Sequence, residues 1–289
     1  MNYLSKKHSK LVLLLLSILF ISSCSKVQEE INKTDTDKTN PKNEVNYTFN
    51  SELGISHNGY LDAVAQLPSF PDHTYSDLYS LSVTYFPDIH SDSNNIEYGV
   101  NSYSNYSNWL GLIDGFANYE ECINYIENNS SLFSGHFYTK LRELDQIINS
   151  DSTITRLATN RLNDVLAELY NFYIEVGNSS LLSNNEIIGL QENVEITYYS
   201  MMYWYEVSNN QNHPWYKPTF SQFDNAKDIP GWMKKAGKII LKVTLDAGGF
   251  TLGFGLGSGL GAPGGPVASV AAGTAGGTLL GTAASSLIK

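Results

Sequence analysis

Apolar residues recur at three- and four-residue steps over two long stretches in the second half of the chain. Ile154, Leu157, Ala158, Leu162, Val165, Leu166, Leu169, Phe172, Tyr173 and Val176 fall on one face of a helix of about six turns. Ser150, Asp151 and Ser152 offer N-caps, and Gly177 with Asn178 offers a stop. A second long helix is expected from about Asn184, where Ser183 and Glu186 have capping-box spacing. Its stripe is Ile187, Leu190, Val194, Thr197, Met201 and Trp204, and the loop at 177–183 lets the two helices pack as an antiparallel hairpin. Shorter helices are expected at 57–67, 119–128 and 137–149. Between 68 and 115, Pro, Asp, Asn, Ser and Tyr mix without a clear period, which reads as a long irregular insertion. The fold class predicted is therefore mainly α: a helical domain with a long irregular insertion, followed by a Gly/Ala-rich hydrophobic helical hairpin.

That hairpin is read from the last 60 or so residues. Gly249, Gly253, Gly257, Gly261 and Gly265 fall every fourth residue, and the register resumes through Gly273, Gly277 and Gly281. On a helix this makes one flat stripe, and the pattern resembles the glycine zipper of membrane-associated helices, whose missing side chains let two backbones approach closely. The stretch "APGGP" at 262–266 makes a natural turn between two arms, 239–261 and 267–288. Each arm reaches about 30 Å at about 1.5 Å per residue, enough to cross a hydrocarbon core, and no charge lies between Asp246 and Lys289. Thirteen glycines lie from Gly248 to Gly281; at about 1 kcal/mol each relative to alanine, those inside the arms cost on the order of 10 kcal/mol in a helix free in water. Tight packing along the stripe or a bilayer must compensate, since a bilayer forbids unpaired backbone groups. A packed soluble hairpin and a Gly/Ala-rich tail are the alternatives. Lys234, Lys235 and Lys238 precede the first arm, Lys242 stands at its start, and all four would meet lipid headgroups.

The amino terminus supplies an address. Lys6, Lys7 and Lys10 form a positive region, 11–21 is an apolar run too short for an ordinary span, and Ser22 and Ser23 lead to Cys24. The boundary "ISSC" resembles the lipobox of bacterial lipoproteins. That resemblance implies cleavage before Cys24, lipid on its sulfur, and, with Ser25 following, sorting to the outer membrane. Residues 25–50 are polar and charged and read as a tether. The organisation expected is thus signal peptide 1–23, tether 24–50, mainly helical domain 51–220, and basic approach with hydrophobic hairpin 228–289.

Charge and chemistry then narrow the functions. The full chain carries a formal net charge of −11, and loss of Lys6, Lys7 and Lys10 makes the mature form more acidic. A nucleic-acid partner, which needs a basic footprint, is not expected. "GISHNGYLD" at 54–62 resembles a stretch seen in bacterial lipoproteins; His57 reads either as a base or metal ligand or, with Asn58, as a helix cap. His57, His73, His90 and His136, with Asp72, Asp88 and Asp92, lack a compact zinc spacing. Residues 88–99 resemble a calcium loop but lack its glycine. Cys122 reads as a buried helical cysteine, and neither a G-x-S-x-G elbow nor a phosphate loop is present. No metal, cofactor or enzyme activity is expected. The aromatic run around Tyr199, Tyr203 and Trp204, with Trp215 and Tyr216, is either core or a platform for a glycan or protein ligand. The expected function is a cell-envelope lipoprotein whose hairpin associates with membrane lipid and self-associates through its glycine stripe, with membrane perturbation of the bacteriocin kind. The alternative is a surface lipoprotein whose Tyr- and Trp-rich domain binds a glycan or partner protein.

Overall fold

The computed structural model describes residues 47–49, 53–85, 103–113, 115–116, 118–224 and 230–261. The signal peptide, Cys24 and most of the tether lie outside the described residues, as do His90 with the 88–99 loop, and the second arm with Gly265, Gly273, Gly277 and Gly281. Every regular element among the described residues is helical, so the mainly α fold class holds. In chain order these are α1 (Leu53–Val64), α2 (Tyr75–Tyr85), α3 (Tyr103–Ile113), α4 (Tyr119–Asn129), α5 (Gly135–Asn149), α6 (Asp151–Ala158), α7 (Leu162–Gly177), α8 (Asn184–Asn209), α9 (Tyr216–Thr219), a 3₁₀ turn (Ser221–Phe223) and α10 (Gly231–Gly261).

Two long helices form the centre. α8, 26 residues and about 39 Å long at about 1.5 Å per residue, packs against α1, α5, α7 and α10. It is buried nearly all round, through Glu186, Leu190, Val194, Thr197, Met201 and Trp204 among others, as a helix in the middle of a bundle must be. Its start is the capping box expected from Ser183 and Glu186. The Glu186 carboxylate also accepts from the backbone N–H of Ser134 at 2.5 Å and of Ser183 at 2.7 Å. One side chain thereby ties the loop before α5 to the start of α8. Burial alone raises the Glu186 pKa, but these hydrogen bonds outweigh it and hold the carboxyl below its ordinary value. Its contribution to stability is present above the ordinary glutamate range and lost as pH falls through the depressed value.

α10 is the second central helix, and it lies where the sequence pattern alone does not place it. The first arm of the glycine-rich hairpin is packed against α3, α4, α5, α6 and α8, with Ala236, Ile239, Ile240, Val243, Ala247, Phe250, Leu252 and Phe254 all buried. The same hydrophobic core contains Tyr60, Leu110, Ile123, Leu144, Leu169 and Trp204, so this arm is continuous with the 51–220 segment rather than a separate unit. Tyr47 and Phe49, which fall in the expected tether, also join the fold: Phe49 sets its ring edge-on to Tyr170, Tyr173 and Tyr198, and Tyr47 lies 4.4 Å from Tyr170. No described helix is long and apolar enough to cross a membrane.

Two local expectations are corrected. The single helix expected from Ile154 to Val176 is two, α6 and α7, broken at Asn160, whose φ of 59° lies in the left-handed region. Asparagine tolerates that region better than most residues. The Arg161 N–H donates to Arg156 O at 2.8 Å and the Asn160 N–H to Leu157 O at 3.3 Å, a Schellman stop that satisfies the last carbonyls of α6. The irregular insertion holds two helices, α2 and α3. Thr74 and Asp77 cap α2 reciprocally, at 2.7 Å and 3.2 Å, and Leu78, Leu110 and Ile113 are buried. Most of the remaining positions are Tyr, Ser and Asn, which hide the period.

Candidate functional site

The distinctive chemistry of the fold is a chain of buried polar groups along α10. Lys242 and Asp246 stand one turn apart on it, and both side chains are fully buried. α1 brings His57 to them: the imidazole Nε2 lies 3.2 Å from Asp246 Oδ2, both at zero exposure. This is ion-pair distance, though the N–H is not aligned for a hydrogen bond. The other ring nitrogen, Nδ1, lies 2.9 Å from Asn58 Oδ1, and Asn58 Nδ2 donates to the carbonyl of Tyr199 on α8. From α8, Ser200 Oγ donates to Asp246 Oδ2 at 2.6 Å and Trp204 Nε1 donates to the same oxygen at 3.3 Å. Lys242 Nζ sits over the faces of Trp204 and Trp215, 4.5 and 5.3 Å from their ring centroids, where the ring quadrupoles attract a cation.

The electrostatics follow from burial and from one carboxylate serving two bases. Burial pushes the Lys242 amine well below the ordinary lysine value, the positive field of Lys238 adds to this, and Asp246 opposes it. Burial also disfavours charged His57, but the nearby Asp246 charge and the side-chain contacts with Asp246 and Asn58 outweigh it, and its pKa is raised.

Farther along α10 a second polar cluster holds the glycine-rich part. Tyr119 Oη and Thr251 Oγ1 are 2.7 Å apart, and Asn193 Nδ2 donates to both, at 2.9 and 2.5 Å. Cys122 Sγ donates to the carbonyl of Gly248 at 3.1 Å. Burial pushes that thiol far above its ordinary value, so it stays protonated and serves as a donor rather than a nucleophile.

Several glycines of the fold act by close approach. Gly249, Gly253 and Gly257 are buried and Gly261 ends the helix. Off that stripe, Gly255 makes a close contact of its own, where an added Cβ would lie 2.8–3.1 Å from the Ile126 side-chain carbons of α4. On α8 the backbone at Gly189 is covered by the Phe254 ring, and on α1 that at Gly54 by the Tyr199 ring.

The expected aromatic platform is core. Trp204, Trp215, Tyr203 and Tyr216 are buried, and Tyr199 is half-buried against Gly54. Their polar ends are used internally: Trp215 Nε1 donates to Leu61 O at 3.0 Å, Tyr203 Oη to Asp62 at 2.8 Å, and Tyr216 Oη to Asp224 at 2.6 Å. Lys235, expected at lipid headgroups, donates to Tyr216 Oη and pairs with Asp224 at 3.1 Å; Lys242 is likewise in the core. His57 lies inside α1 and is not its cap. His73 is half-buried beside Trp215 and His136 is exposed. No group of three His, Cys, Asp or Glu able to hold a metal occurs among the described residues.

Spacing could not pair His57 with Asp246, which lie at opposite ends of the chain. The available signal was the pair Lys242 and Asp246 inside an otherwise apolar helical pattern. No family model, curated protein or solved structure matches the chain.

Proposed function

We propose that this chain is a lipid-anchored protein of the cell envelope that stores a membrane-active, glycine-rich helix inside a helical coat, and that its activity is membrane perturbation of the bacteriocin kind. The observation that supports this reading is the burial of α10 beyond Asp246. From Ala247 onward that helix carries no charge, and in sequence the uncharged run continues to Ile288. Such a run favours lipid over water, and its first part is shielded by α3, α4, α5, α6 and α8. Uncovering it would present the bilayer with a helix whose glycines allow close helix pairing. Lipid on Cys24 would keep the molecule at the target surface, since several acyl chains at about 0.8 kcal/mol per buried CH₂ anchor stably. Replacing Cys24 with alanine is expected to abolish fatty-acid labelling and to move the protein out of the membrane fraction. Labelling unchanged in the mutant would overturn the anchor assignment.

The stored-helix reading is tested by pinning α10 in place. With Ile126→Cys and Gly255→Cys in a Cys122→Ser background, two thiols stand at a close approach of α4 to α10, within disulfide reach. The reduced full-length protein is expected to release dye from anionic vesicles and the oxidised form to release none. Equal release by both would mean that α10 is not the active segment.

A second reading, a binding lipoprotein, is favoured by an open groove of about 500 Å³ between α5, α6 and α7. Glu143, Glu168, Asn171 and Glu175 line it, giving several hydrogen-bonding groups for a polar ligand such as a sugar. Absence of dye release under both redox conditions would favour this reading.

A further inference from the structure

Two loops meet at one end of the bundle. The Ser134 N–H, at the close of the loop 130–134, donates to the Glu186 carboxylate, which also accepts from the Ser183 N–H at the close of the loop 178–183. Each loop holds out a leucine: Leu132 is 44% exposed and Leu181 64%. Ile174, in the last turn of α7, and Ile188, early in α8, are exposed as well. A lone exposed apolar side chain is ordinary. What sets this end apart is that 128–139 and 176–185 contain no Asp, Glu, Lys or Arg, in a chain of net charge −11. The charges that flank these stretches are ion-paired, Lys140 with Glu175 and Glu127 with Arg142, or buried in the cap, as Glu186 is.

α10 arrives at the same end. It runs antiparallel to α8: Asp246 meets Ser200, Thr251 meets Asn193, and the Phe254 ring covers Gly189. From Gly189 back to Asn184, the first residue of α8, is about 8 Å, whereas α10 continues about 10 Å past Phe254 to Gly261. The end of the uncharged helix therefore comes level with the two leucine-bearing loops.

We infer that this end of the bundle is a bilayer-docking face, through which the folded protein settles on a lipid surface with Leu132 and Leu181 at the boundary of headgroups and acyl chains. Two features select lipid as the occupant. Approach to a bilayer here strips water from no charged side chain of either loop, and the Ser and Asn groups beside the leucines can hydrogen-bond to headgroups. The helix that ends beside them opens an uncharged run, which favours lipid over water. Docking requires neither lipid on Cys24 nor the release of α10. Only its use, delivering α10 to the membrane, rests on the stored-helix reading.

The test uses the chain from residue 24 onward, which contains every described element, with Cys24→Ala, Cys122→Ser and one new cysteine carrying an environment-sensitive fluorophore. Phosphatidylcholine vesicles are added, zwitterionic so that the lipid does not repel the acidic protein. A label at Ser180→Cys should shift to the blue and be quenched by nitroxide lipids. A label at Asn210→Cys, at the other end of α8 and about 39 Å away, should do neither. Leu132→Asn and Leu181→Asn should each weaken partition about tenfold, the effect of withholding part of one leucine from lipid. Ile55→Asn, which removes a side chain 57% exposed on α1, should leave partition unchanged. Equal lipid contact at Ser180 and Asn210, or partition indifferent to both leucines, would overturn the docking face, even if another segment binds vesicles. It would also fall if the leucine variants altered only self-association in the absence of vesicles, which would make this end a contact between copies. Contact at Ser180 without dye release would uphold the face and remove the stored-helix reading.

Discussion

Replacing Asp246 with alanine is expected to destabilise the fold by about 3–5 kcal/mol, the cost of removing one partner from a buried charge cluster. The loss has identifiable parts. His57 and Lys242 lose their shared counter-charge, and Ser200 Oγ and Trp204 Nε1 lose the acceptor that they now reach at 2.6 and 3.3 Å. At about 2–4 °C per kcal/mol for a domain of this size, the melting temperature should fall by about 6–20 °C. Lys242→Met should be far milder, because it removes a buried amine and leaves the His57–Asp246 pair. If both substitutions cost the same, the carboxylate is not the hub of the cluster. Thermal melts followed by far-UV circular dichroism at pH 7 decide between these outcomes.

How much of this was legible in the sequence depends on how local each determinant is. The start of α8 could be read because Ser183 and Glu186 satisfy each other's backbone within one turn. The α7–α8 pairing followed from two strong apolar stripes and a short loop. The break at Asn160 was hidden because the stripe continues across it, and only the left-handed backbone at one asparagine marks the stop. α2 and α3 were hidden for a different reason: Tyr, Ser and Asn fill positions that a periodicity reading expects Leu or Val to fill. The Thr74 and Asp77 cap was the overlooked sign.

For the site, the limits were long-range. A helix with a glycine every fourth residue announces close packing, but not what it packs against. The pattern fits a bilayer and a protein coat equally well, since both compensate the glycines by excluding water. What separates the two is the pair Lys242 and Asp246. In lipid they would be expensive; in this fold each has a built environment, indole faces for the lysine and three side chains around the aspartate. Those partners come from α1, α8 and the segment before α9, and no spacing rule brings them together.

The packing of α10 also predicts a reversal of sign. Gly189 sits in the interior of α8, where glycine costs about 1 kcal/mol relative to alanine, yet an alanine Cβ there would collide with the Phe254 ring. Gly189→Ala in the native background should therefore destabilise despite its better helix propensity, as overpacking costs about 1–3 kcal/mol. Phe254, 2% exposed and stacked near Phe133, Phe137 and Phe250, should cost about 3–5 kcal/mol when cut to alanine. With the ring gone nothing opposes the new methyl group. In the Phe254→Ala background, Gly189→Ala should then stabilise, by the propensity gain of about 1 kcal/mol and by partly filling the space the ring left. Chemical denaturation of the four proteins in this cycle measures the coupling directly. Additive effects, with Gly189→Ala stabilising in both backgrounds, would mean that α10 does not dock on α8 in solution, and the glycine-rich helix would then need another means of shelter from water.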